Sequence, residues 1–210
     1  MNEPVFRENV VIITGASSGI GKELALQLAD QGAWLALASR SAEPLEEAVL
    51  QCRQRGGRVI SVPTDVADQA QCQHLIEAAV AEYGRIDTLI NNAGIVQVAK
   101  FYKLEELAVY EKVIRVNFLG HVYCTHFALP HLMNSAGRIV GISSLRGLLP
   151  SAHADGYGES KHALAGFYDN LRLDLSGKGV SVTAIYPGWI STGMSSRAMR
   201  SDGTLTGKIS

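Results

Sequence analysis

The run Tyr157-Gly158-Glu159-Ser160-Lys161 sets a phenol and an ammonium four residues apart, a spacing suited to carbonyl chemistry. On a helix, positions i and i+4 share a face with Cβ atoms about 5–6 Å apart, so the positive charge is expected to lower the phenol's pKa. An unperturbed tyrosine, with pKa about 10, is a poor acid at neutral pH, and a lysine neighbour would correct that. Ser143 and Ser144 close a strand-like run upstream. Glu159, at i+2, is expected to face away, toward solvent or another subunit. A Tyr-x-x-x-Lys spacing recurs on many exposed helices, so its meaning depends on the rest of the chain.

A second chemical feature is the turn Thr14-Gly15-Ala16-Ser17-Ser18-Gly19-Ile20-Gly21, between an apolar run and an amphipathic stretch. Glycines between a strand and a helix let backbone approach a pyrophosphate, and the helix end offers unpaired N–H groups to its charge. At the end of the second strand, NAD-binding folds place an acid against the adenine ribose. This chain has Ser39-Arg40-Ser41 there. An arginine would pair with a 2′-phosphate, so NADP(H) is the expected cofactor.

The elements that must position these groups are an alternation of short apolar runs and longer helical-period segments, which indicates repeated β-α units around a parallel sheet. Strands are expected at 10–14, 34–39, 58–63, 88–91, 138–143 and 181–186, and helices at 19–31, 42–56, 68–83, 105–133 and 155–177. Several of these helices end at glycine, as a left-handed C-cap requires, and Ser41 and Asp68 are candidate N-caps. No linker or fixed-period repeat divides residues 1–210, so one NAD(P)-binding domain of Rossmann type is expected. Residues 192–210 have no period and are expected to form a loop.

Composition excludes other classes. The 210 residues are 47% hydrophobic and 19% charged, with a formal charge of −1, and the Lys and Arg residues are scattered, so no basic field for nucleic acid exists. Cys52, Cys72 and Cys124 form no Cys-x-x-Cys and are expected to be reduced core thiols. The spacing of His121, His126 and His131 does not gather rings on one helical face, and no metal site is expected. The first nine residues carry both charge signs, and no long apolar run follows, so neither a targeting peptide nor a membrane segment is expected and the cytoplasm is the default location.

Taken together, Thr14-Gly15-x-x-x-Gly19-Ile20-Gly21, Asn91-Asn92-Ala93-Gly94, Asn117, Ser144, Tyr157-x-x-x-Lys161 and Pro187-Gly188-x-x-x-Thr192 resemble the motif set of the short-chain dehydrogenase/reductase family. The resemblance implies a doubly wound α/β sheet, a nicotinamide cofactor and hydride exchange between an alcohol and a carbonyl. It places Gly15, Ser17, Ser18, Gly19 and Ile20 along the pyrophosphate and adenosine, Arg40 at the 2′-phosphate, and Asp65 and Val66 at adenine. Asn91, Ala93 and Gly94 would border the ribose and the sheet centre, and Pro187, Gly188, Ile190 and Thr192 the carboxamide. For Asn92, a ligand role and a turn residue bonding its own loop both stay open.

In that family's scheme Tyr157 is the proton donor, Lys161 also holds the nicotinamide ribose, Ser144 polarises the substrate oxygen, and Asn117 holds a water linking Lys161 to solvent. Ser143 is expected to be structural. Arg146 and His153 could border the substrate mouth, though a surface ion pair with Asp155 is the expected arrangement. The substrate class implied is a small carbonyl or alcohol of the ketone or hydroxysteroid type. A 3-oxoacyl thioester is the alternative, and an NADP(H)-binding regulatory or scaffold protein is the reading outside enzymes. Subunit pairing into a homodimer or homotetramer through the two long helices is also implied. The family has a seventh strand with a preceding helix that this sequence lacks, so part of a longer chain is expected rather than a shortened member with an open pocket.

Overall fold

Strand β1 (Val10–Thr14) is buried along its length, and its alternation sends Val10 and Ile12 into one apolar layer and Val11 and Ile13 into another. A strand of a parallel sheet covered on both faces must do this. The computed structural model describes residues 5–150 and 156–207. In it β2 (Trp34–Ser39), β3 (Arg58–Pro63), β4 (Thr88–Asn91), β5 (Arg138–Ile142) and β6 (Ser181–Ile185) join β1 in one six-stranded sheet of order β3-β2-β1-β4-β5-β6. Every neighbouring pair is parallel. The order reverses between β1 and β4, and in doubly wound folds the ligand crevice opens at the carboxyl ends of the strands at that point.

Helices α1 (Gly19–Asp30) and α2 (Ala42–Gln54) cover one face through Ala25, Leu28, Leu45 and Val49. On the other face α3 (Gln69–Tyr83), α5 (Gly120–Asn134) and α6 (Tyr157–Asp174) contribute Leu75, Ile76, Cys124, Leu132, Leu164 and Tyr168. The three cysteines are free and buried, as expected. Gly84 ends α3 in the left-handed region (φ 78°), a conformation glycine adopts without a Cβ penalty. Asp68 caps α3, accepting from the N–H groups of Ala70 and Gln71 at 2.8 and 3.3 Å. Ser41 occupies the N-cap of α2 but makes no side-chain capping bond.

One expectation is corrected and another is borne out with a difference. The helix expected at 105–133 is divided into α4 (Leu107–Ile114), a π-helical turn (Arg115–Leu119) and α5. An extra residue per turn swings one side chain out of register, and such turns concentrate at functional sites; here the turn contains Asn117. The expected loop after residue 192 is irregular but firmly seated. It holds a short 3-10 turn (Ser195–Arg197), bridges Met199 to both Gln97 and Leu205, and buries Ala198 and Met199. His153 and Asp155, and with them the expected ion pair to Arg146, lie outside the described residues. Among the described residues, no helix is long and apolar enough to cross a membrane.

Candidate active site

The glycine turn is shaped by close approach. A Cβ on Gly15 would come within 2.8 Å of the Ala93 Cα, and one on Gly21 within 2.5 Å of the Gly15 carbonyl oxygen. Gly15 and Gly19 also take φ of 68° and 58°, which disfavour any side chain. Asn92 is a buttress of this turn. Its Nδ2 donates to the carbonyls of Thr14 (2.9 Å) and Gly15 (3.2 Å), and Thr14 Oγ1 accepts from the N–H groups of Asn92 and Ala93. Asn92 thus ties the end of β4 to the turn rather than bonding its own loop.

Ser18 is the N-cap of α1 but makes no capping bond, and no acid lies in that helix's first turn. The first N–H groups therefore lack a side-chain acceptor, and with the glycine cradle they fit a dinucleotide phosphate. Gly19, Ile20, Glu23 and Leu24 form one wall of a cleft of about 580 Å3, and Ile190, Ser191 and Thr192 the other. Ser39 Oγ donates to Ser17 Oγ at 2.8 Å, drawing the turn to the end of β2. Next to it Arg40 is exposed, with no ion pair among the described residues. Asp65 accepts from the Ala67 N–H, and Val66 packs over Gly120. Pro187 accepts from the Leu145 N–H at 3.1 Å, holding the 187–192 segment against the turn after β5, where Gly188 borders Leu145.

On α6 the i, i+4 spacing does place Tyr157 and Lys161 together, with Lys161 Nζ 5.7 Å from the phenol ring centroid. The expected electrostatics do not follow. Lys161 is buried, its ammonium donates to the Ile142 carbonyl at 3.0 Å, and loss of water lowers its pKa to about 8. Burial likewise pushes the Tyr157 phenol above its ordinary range, while a hydrogen bond with the Ser144 side chain and the charge of Arg146 pull it partly back. The groups that ease ionisation of this phenol are therefore Ser144 and Arg146, because Lys161 directs its charge into a strand carbonyl. Ser144 Oγ also accepts from the Arg146 N–H (3.2 Å), while Ser143 is buried under α6, as expected for a structural residue. Glu159 is exposed, as its register demanded.

Asn117 is fully buried. Its Oδ1 accepts from the Ile95 N–H (2.8 Å), and its Nδ2 donates to the Ile95 carbonyl (2.9 Å) and to Ser160 Oγ (3.1 Å). Ser160 Oγ in turn donates to the Tyr157 carbonyl at 2.7 Å. Gly94 borders both Asn117 and Lys161, since a Cβ there would lie 3.4 Å from Asn117 Oδ1 and 3.8 Å from Lys161 Nζ. Asn91, the last residue of β4, is fully buried. Its side-chain amide turns inward and donates to Thr125 Oγ1 (2.9 Å) and to the Tyr168 hydroxyl (3.3 Å).

Sequence reasoning missed three participants. Ser160 bridges Asn117 to the helix that carries Tyr157 and Lys161, and its signal was the small hydroxyl residue at i+3 from Tyr157. His121 is buried, with Nδ1 2.8 Å from the Tyr168 hydroxyl and Nε2 3.3 Å from the Ala93 carbonyl. Because Asn91 donates to that hydroxyl, the phenol proton goes to Nδ1, and His121 carries its own proton on Nε2. Burial and the nearby Lys161 charge depress its pKa to about 3, so it stays neutral. Gln97 is buried with neither Nε2 nor Oε1 partnered among the described residues, and Gly156 (φ 73°), just before Tyr157, lies against it. Nothing in local sequence marked Gln97.

Comparison with known proteins agrees with this geometry. The chain is 41% identical over 186 residues to "11-beta-hydroxysteroid dehydrogenase-like 2" of Arabidopsis thaliana, covering 88% of this chain and 60% of the relative. It is 39% identical over 184 residues to "11-beta-hydroxysteroid dehydrogenase A" of Sesamum indicum, covering 87% and 53%. The chain thus spans little more than half the length of these curated relatives. Among solved structures, a short chain dehydrogenase/reductase from Burkholderia phymatum in complex with NAD superimposes with TM-score 0.87 at 31% identity, covering 93% of this chain and 70% of that one. Levodione reductase superimposes with TM-score 0.86 at 31% identity, covering 90% and 74%. The family profile described as short chain dehydrogenase matches residues 9–202. A match that runs unbroken from the glycine turn through the Tyr157 helix to the segment beyond Thr192 establishes that the chain belongs to the short-chain dehydrogenase/reductase family.

Proposed function

We propose that this protein is an NADP(H)-dependent oxidoreductase that interconverts a ketone-type carbonyl and an alcohol, with a hydroxysteroid-like apolar molecule as substrate and Tyr157 as general acid/base. The observation that carries the reading is that Ser144 bonds the Tyr157 phenol while Lys161, one helical turn on, lies against Gly94, next in the chain to the Ala93 that abuts Gly15 of the glycine turn. Bound nicotinamide would supply or accept the hydride. Ser144 would hold the substrate oxygen beside the phenol, and Tyr157 would give that oxygen a proton in reduction and recover it in oxidation. Lys161, mostly charged at neutral pH with its pKa about 8, would hold the nicotinamide ribose beside the phenol, and Ser144 and Arg146 would ease the charge left on that phenol.

Support for an apolar substrate comes from the rim of the site, where Leu145, Leu148, Trp189 and Ile190 are all exposed. The names of the plant relatives point the same way. Support for NADP(H) is Arg40 at the end of β2, exposed and without an ion pair among the described residues, where an acid would favour NAD.

The test is NADPH consumption with a panel of apolar ketones, steroids, quinones and 3-oxoacyl thioesters, comparing the protein with its Tyr157→Phe variant. Loss of the acid should slow turnover by about 10²- to 10⁴-fold. Equal rates would remove Tyr157 from the chemistry, and turnover confined to the thioesters would replace the steroid-like substrate.

A further inference from the structure

We propose that Arg197 is a ligand of the cofactor's pyrophosphate and that, by binding it, Arg197 latches residues 192–207 across the crevice. The proposal rests on the dinucleotide reading above and adds a residue from outside the glycine turn. Arg197 ends the 3-10 turn after Thr192. Its Nη1 donates to Ser18 Oγ at 2.9 Å and its Nη2 to the Thr192 carbonyl at 3.5 Å. Ser18 caps α1, and Thr192 is packed so closely on the turn that a Cβ on Gly19 would lie 3.1 Å from its own. The guanidinium is thereby held at the helix end that the phosphates require.

Charge balance gives this placement its meaning. Residues 14–21 contain no charged side chain. The next cation, Lys22, is engaged by Glu47 at 3.2 Å, and Glu23 brings a negative charge into the cleft wall. A pyrophosphate would otherwise meet only backbone N–H groups and the partial charge of the helix end. Arg197 has no carboxylate partner among the described residues. A guanidinium offers five donors, of which the two bonds to Ser18 and Thr192 occupy two. Its planar fork suits phosphate oxygens, and a bond between two ionised groups is stronger than the one that the guanidinium makes to the uncharged Ser18 hydroxyl.

The same segment is anchored at the substrate side. Val98 N–H donates to the Met199 carbonyl and Met199 N–H to the Val96 carbonyl, both at 2.9 Å, and Ser201 binds the start of α4 through the Glu106 N–H (3.1 Å) and Glu105 (2.8 Å). Met199 packs with Val109, Val113 and Tyr157. Residues 192–207 therefore run from the phosphate turn to the catalytic tyrosine, and a phosphate held by Arg197 fixes one end of the strap while the other forms part of the substrate wall.

The experiment is a fluorescence titration of NADPH, and a competition titration with 2′-AMP, which lacks the pyrophosphate, on wild type, Arg197→Met and Arg197→Lys. Hydrogen exchange of residues 192–206 is followed with and without NADPH. Removal of a charge-assisted contact should weaken NADPH binding by about 10- to 100-fold, leave 2′-AMP binding unchanged, and abolish the NADPH-induced protection of the segment. Arg197→Lys should recover part of the loss. Equal NADPH affinity in wild type and Arg197→Met overturns the proposal, as does a loss shared equally by NADPH and 2′-AMP, which indicates a folding role. A wild type that binds neither NADPH nor NADH overturns the dinucleotide reading itself, and the latch with it.

Discussion

Asn117 holds both backbone polar groups of Ile95, accepting from its N–H at 2.8 Å and donating to its carbonyl at 2.9 Å. The amide thus mimics a strand neighbour for the chain leaving β4, and the π-helical turn is what swings it into place. A side chain so fully used supports the site wall first. Asn117→Leu should leave both Ile95 groups unpaired and destabilise the fold by about 2–5 kcal/mol, read as a lower urea midpoint. An unchanged midpoint with reduced turnover would assign Asn117 to chemistry alone.

Lys161 imposes a stability penalty in the absence of ligand. Its pKa falls from 10.5 to about 8 on folding, so between those values the unfolded chain keeps a proton that the folded one has released. Stability therefore rises with pH through that window, and below pH 8 the cost of the buried charge is felt in full. Lys161→Met should be more stable than wild type at pH 7 by up to about 3 kcal/mol, lose that advantage above pH 10.5, and be inactive. Chemical unfolding at several pH values checks it, and a less stable variant at pH 7 would show that the Ile142 bond outweighs desolvation.

His121 acts in the acid range. With a folded pKa of about 3 against an ordinary 6.5, it refuses a proton that the unfolded chain accepts. The folded state should weaken as pH falls from 6.5 toward 3, by about tenfold in the unfolding equilibrium per pH unit from this group alone. The facing groups are the Tyr168 hydroxyl, the Ala93 carbonyl and the Lys161 ammonium, and none offers a compensating negative charge. His121→Gln should flatten the acid limb of the stability profile, and a profile as steep as wild type would exonerate the imidazole.

Arg40→Asp should reverse cofactor preference. Loss of a phosphate partner and gain of a ribose acceptor would cut the NADPH to NADH ratio of kcat/KM by about 10- to 100-fold. An unaltered ratio would show that Arg40 does not read the 2′-phosphate.

The six strands were legible because buried parallel strands are short apolar runs bounded by turn residues, and β1 to β4 begin and end where that pattern does. The glycine turn and the Tyr157–Lys161 pair were legible for a related reason, since their chemistry is local. What escaped notice depends on distant contacts. The division of the 105–133 segment depends on Ile95 reaching Asn117, the inward turn of Asn91 depends on Tyr168 and Thr125, and the fate of the Lys161 charge depends on the Ile142 carbonyl. No spacing within one element carries those facts.

The seated strap also covers the Gln97 amide, whose side-chain atoms have no hydrogen-bond partner among the described residues, beside Gly156 and bridged to Met199. Leaving a buried amide without a hydrogen bond costs on the order of 1–3 kcal/mol, so a polar group that reaches it is favoured there. The threshold of Tyr157 therefore carries a polar seam under the strap, where a visitor with a hydrogen-bonding group is received rather than repelled.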